Sequence, residues 1–87
     1  MIVDELQRVF DRQAILDCLT RFSRGMDRFD RDLVMSAFHT GAVCDYGPFV
    51  GPPEVLCDWN DQIKPTVATT LHHLTNHNCE IAGETAH

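Results

Sequence analysis

The chain has 87 residues, 44% of them hydrophobic and 23% charged, with a net charge of −6. That is the composition of one globular domain at most, not of a disordered tail or a membrane span. An acidic balance, with its seven Lys and Arg largely interleaved with acids, argues against a nucleic-acid partner, which needs a basic stripe.

Val3, Leu6, Val9, Phe10, Ile15, Cys18, Leu19, Phe22 and Met26 recur mostly at steps of three and four. This predicts one long helix over residues 3–26, or two meeting near Asp11, with Asp4 and Asp11 as candidate caps and Gly25 loosening the end. The opening residues carry no positive leader followed by an apolar run, so no secretory signal is expected and the compartment is expected to be cytoplasmic. Four cysteines at 18, 44, 57 and 79 are too widely spaced for a zinc knuckle and are expected to be reduced packing residues.

A second helix is expected from Asp32 to His39, with Asp30 as its N-cap and Gly41 ending it in the left-handed conformation. Ala42 to Tyr46 reads as a strand closed by Gly47-Pro48. Pro53 is placed for the first turn of a third helix, whose stripe is Val55, Leu56, Trp59 and Ile63 and which ends before Pro65. Leu71 to Ile81 reads as a strand holding three of the five histidines, followed by a turn at Ala82-Gly83-Glu84 and the start of a returning strand at Thr85-Ala86-His87. On that strand His73 and His77 would face away from His72, which disfavours a metal site, and no cofactor is expected.

The pattern of Phe22-x-x-x-Met26-Asp27, then Asp45-Tyr46 closing a strand, then His72-x-x-Thr75-Asn76 resembles the SnoaL-like branch of the nuclear transport factor 2-like superfamily. That superfamily includes scytalone dehydratase, hexachlorocyclohexane dehydrochlorinase, polyketide cyclases and ketosteroid isomerases. The resemblance implies an α+β fold, a cone-shaped curved mixed or antiparallel sheet wrapping the long N-terminal helix. It implies a single SnoaL-like domain over residues 1–87, expected to be incomplete at its C-terminus. It implies a cofactor-independent lyase or isomerase acting on a small apolar ring-containing carbonyl compound, with Asp27 orienting a catalytic His72 and Tyr46 polarising the carbonyl. Met26, Phe22, Phe49, Trp59, Leu74 and Asn76 are then the candidate substrate-binding residues. The alternative is a non-catalytic binding or assembly module, like the small subunit of a ring-hydroxylating dioxygenase.

An unpaired Leu71–Ile81 edge and the uncovered apolar side chains of the first helix lead to one more expectation. The chain should be stable only as a homo-oligomer or with strands supplied from elsewhere.

Overall fold

A computed structural model describes residues 1–87. The first helix, α1, runs unbroken over Ile2–Arg28. Neither expected aspartate caps it. Met1 occupies the N-cap without a side-chain bond, Asp4 lies inside the first turn, and Asp11 accepts a hydrogen bond from Gln7 one turn earlier at 2.9 Å.

α1 ends at Phe29, whose φ of 56° places a non-glycine residue in the left-handed region. The Phe29 N–H bonds the Met26 carbonyl and the Asp30 N–H the Gly25 carbonyl, the paired pattern of a Schellman cap. Asp30 then caps α2, Arg31–Met35, its Oδ1 accepting from the Leu33 N–H at 3.1 Å as expected. α2 is shorter than its periodicity suggests. The Ser36 hydroxyl bonds back to the Leu33 carbonyl, Ala37 and Phe38 take three-residue bonds, and the helix is over before Gly41 turns left-handed at φ 78°.

Gly25 does not loosen α1; it lets α2 approach. A Cβ there would lie 2.7 Å from both Cγ2 and the backbone nitrogen of Val34, which is 1% exposed. Around this contact Met26, Val34, Leu56 and Cys57 form the core, flanked by Phe22, Met35, Phe38 and Phe49.

The strand expected at 42–46 narrows to β1, Cys44–Asp45, which pairs antiparallel with a strand the sequence did not announce, β2, Val50–Gly51. Asp45 Oδ1 accepts from the Gly47 N–H at 3.0 Å and shapes the turn between them. α3, Pro53–Ile63, starts on its proline and stops before Pro65 as expected, but its buried face is Pro53, Leu56, Cys57 and Asn60. Val55 and Trp59 point outward, because the buried Asn60 donates to the Met26 carbonyl at 3.0 Å and sets the rotation of the helix.

The expected strand from Leu71 is not formed before Ile81. Residues 67–79 pair with no ladder; Glu80 exchanges backbone hydrogen bonds with His87, and β3, Ile81–Ala82, pairs with β4, Thr85–Ala86, across a turn in which Gly83 has φ 60°. A strand exists only through a partner's hydrogen bonds, and here side-chain bonds to α1 hold the segment instead.

The architecture is thus α+β: a long N-terminal helix, two shorter helices and two small antiparallel ladders. Its radius of gyration is 15.1 Å, against about 12 Å for a compact domain of this length. The excess reflects the N-terminal half of α1, where Ile2, Val3, Leu6, Val9 and Phe10 are exposed. No helix is long and apolar enough to cross a membrane. All four thiols are free, Cys44 and Cys57 buried.

Candidate functional site

The last two and a half turns of α1 carry Thr20, Ser23, Arg24, Asp27 and Arg28 at steps of three and four, which places them on one face. Segment 69–74 crosses that face. Between them lies an open cleft of about 570 Å³, lined by these five residues and by Thr69, Thr70, Leu71, His72 and Leu74.

Asp27 is its structural centre. A carboxylate in the last turn of a helix sits at the negative end of the macrodipole, which disfavours it. Three donors from the crossing segment offset this: the His72 backbone N–H to Oδ2 at 2.7 Å, the Thr70 hydroxyl to Oδ1 at 2.8 Å, and the His72 ring, whose Nδ1 lies 2.6 Å from Oδ1. Burial pushes the Asp27 carboxyl up, but the His72 amide, the Thr70 hydroxyl and the His72 ring together hold it below the ordinary carboxylate value.

An ionised carboxylate can only accept, so the proton between the two side chains belongs to His72 Nδ1. In the neutral ring Nε2 is then left with its lone pair. The Asp27 side chain is only 11% exposed, whereas the His72 ring is 48% exposed at the cleft mouth. The arrangement can therefore accept a proton at Nε2 while the carboxylate stabilises the resulting imidazolium.

The other expected site residues scatter. Leu74 lines the cleft, but Asn76 does not. Met26 is buried in the core, with Phe22 and Phe49 packed against it. Trp59 is exposed on α3, and Tyr46 stands beyond the cleft with its ring centroid 5.5 Å from that of Phe49. Burial raises the Tyr46 phenol above its usual value.

His77 is half-buried, its Nε2 enclosed without a hydrogen-bond partner, and Arg12 reaches its carbonyl at 3.5 Å. No three His, Cys, Asp or Glu side chains converge as a metal site would require.

Residues missed from sequence were Thr70, which shares Asp27 with His72, and the two arginines flanking Asp27. The polar spacing from Thr20 to Arg28 is the one signal that could have found the arginines; Thr70 had none, being 43 residues from Asp27.

The family model of the SnoaL-like domain matches residues 7–87. The chain belongs to the SnoaL-like family. This places it in the nuclear transport factor 2-like superfamily, whose members include polyketide cyclases and dehydratases. The SnoaL-like match and the observed order, a long N-terminal helix followed by antiparallel hairpins, agree on an α+β architecture. No curated protein and no solved structure matches the chain.

Proposed function

We propose that this SnoaL-like chain is a cofactor-independent lyase or isomerase of a small ring-containing carbonyl compound, with His72 as general base and acid and Asp27 as its positioning carboxylate. The observation that carries the reading is the 2.6 Å contact between Asp27 Oδ1 and His72 Nδ1 at the edge of a ligand-sized cleft.

In the dehydratase form, Nε2 removes the proton on the carbon next to the substrate carbonyl. The electrons move into the carbonyl to give an enolate, then return to expel a β-hydroxyl, which takes the proton from the imidazolium and leaves as water. In the isomerase form the same proton is returned to a different carbon of the dienolate. Proton transfer by a positioned imidazole contributes about 10²–10⁴-fold to such reactions. Tyr46 has no place in this scheme, since it does not line the cleft.

The test is formation of the conjugated enone from a panel of cyclic β-hydroxyketones, followed by ultraviolet absorbance. His72→Ala is expected to lose the rate enhancement and Asp27→Asn most of it. Turnover retained in His72→Ala would remove the dyad from the mechanism.

A second reading, a non-catalytic binding or assembly module, is favoured by the half-exposed His72 ring and the open cleft. It predicts ligand binding by the wild-type chain with no turnover on the same panel. Homo-oligomer formation belongs to either reading and is supported by the exposed apolar side chains of α1; a monomer in sedimentation equilibrium would rule it out.

A further inference from the structure

We infer that the Asp27–His72 cleft selects an anionic ligand, a small ring compound bearing a carboxylate that Arg24 and Arg28 bind together. This deepens the proposed function by naming the substrate class, and it rests on the cleft being the ligand site.

Only two of the ten lining residues, Leu71 and Leu74, are hydrophobic. An apolar ligand would gain little there. Arg24 and Arg28 lie one turn apart on the face of α1 that carries Asp27, and both line the cleft. Three of the other four arginines are engaged, Arg12 with the His77 carbonyl, Arg21 with Ser36 and Arg31 with Asp58 and Asp61, and the fourth, Arg8, lies about five turns away toward the start of α1 and does not line this cleft. Arg24 and Arg28 make no side-chain hydrogen bond or ion pair, and the one carboxylate in the cleft, Asp27, is taken by Thr70 and His72.

In a chain of net charge −6, two guanidiniums without a partner lining a cleft whose one carboxylate is Asp27 leave a local surplus of positive charge. A guanidinium presents a planar fork of donors that matches a carboxylate in both geometry and charge. Ser23, on the same face, adds a hydroxyl donor, while the Thr20 hydroxyl already donates to the Leu16 carbonyl at 2.8 Å. A carboxylate held on α1 would leave the ring of the ligand toward segment 69–74, where His72 stands.

The probes are 4-oxocyclohexanecarboxylate and its methyl ester, a ring ketone with and without the charge. Each is titrated into the full ¹⁵N-labelled chain and followed by amide chemical shifts. The acid is expected to saturate, with shifts confined to residues 20–28 and 69–74, and to bind at least about tenfold more tightly than the ester, the effect of one or two charge-assisted hydrogen bonds. Arg24→Gln with Arg28→Gln should erase that preference without weakening the ester. Arg24→Lys with Arg28→Lys should retain part of it, which separates loss of charge from loss of fold.

His72→Ala should keep the preference for the acid. Preference for the acid in the wild-type chain, together with no turnover of the cyclic β-hydroxyketone panel, would overturn the catalytic reading and leave this one standing. Equal binding of acid and ester, preference surviving the double glutamine substitution, or no saturable binding of the acid would overturn the inference itself.

Discussion

Replacing Asp27 by alanine removes the one side chain that ties segment 69–74 to α1. The structure says what each partner loses. The His72 backbone amide, 2.7 Å from Oδ2, has no other acceptor, and the Thr70 hydroxyl keeps only a long 3.4 Å contact to the Asp27 carbonyl. A hydrogen bond to a charged group contributes about 1.5–3 kcal/mol. Losing it should speed exchange of the His72 amide by roughly tenfold to a hundredfold, at 1.4 kcal/mol per decade.

The effect on α1 has the opposite sign. Removing a negative charge from the last turn relieves about 0.3–1 kcal/mol of unfavourable dipole interaction, and alanine is the better helix former. Amides of α1 near Gly25 and Met26 should therefore exchange no faster than before. Hydrogen exchange followed residue by residue by NMR separates the two. An unchanged rate at His72, with the variant folded, would show that Asp27 does not hold the segment. Equal acceleration along α1 would show that the segment and the helix open as one unit.

Two further outcomes follow from the same contacts. Because the folded Asp27 carboxyl is held below its ordinary value of 3.8, its contribution is complete above that pH and disappears as pH falls through the lower folded value. The stability difference between the wild-type chain and Asp27→Ala, measured by urea unfolding, should thus shrink as pH falls below 3.8; a gap that persists unchanged at low pH would contradict the assignment. Gly25→Ala should destabilise the fold, since its Cβ would meet Val34 at 2.7 Å, including a backbone nitrogen that cannot rotate away. Overpacking of about 1–3 kcal/mol outweighs a helix-propensity gain of about 1 kcal/mol, and a raised urea midpoint would mean that α1 and α2 do not pack this closely.

Local chemistry was legible in the residues. The three- and four-residue spacing from Val3 to Met26 announces α1, Asp30 caps α2 because its oxygen reaches the Leu33 amide, and Pro53 opens α3 because its fixed φ suits a first turn. Each depends on neighbours a few positions away. The SnoaL-like resemblance was also visible in short motifs, and through it Asp27 and His72 could be singled out, although 45 residues separate them.

Tertiary structure decided what depends on a partner. Leu71 to Ile81 alternates like a strand, yet its backbone finds no ladder within the chain before Glu80, and bonds to Asp27 and Arg12 hold the segment instead. α3 turns Leu56, Cys57 and Asn60 inward rather than Val55 and Trp59, with Asn60 bonded to the Met26 carbonyl at 3.0 Å. The approach of α2 makes Gly25 a contact and not a loosened end. Tyr46 faces Phe49 and not the cleft, while Arg24 and Arg28, unremarkable in the sequence, become its free cations only once segment 69–74 has crossed the helix and Asp27 is already bonded to it.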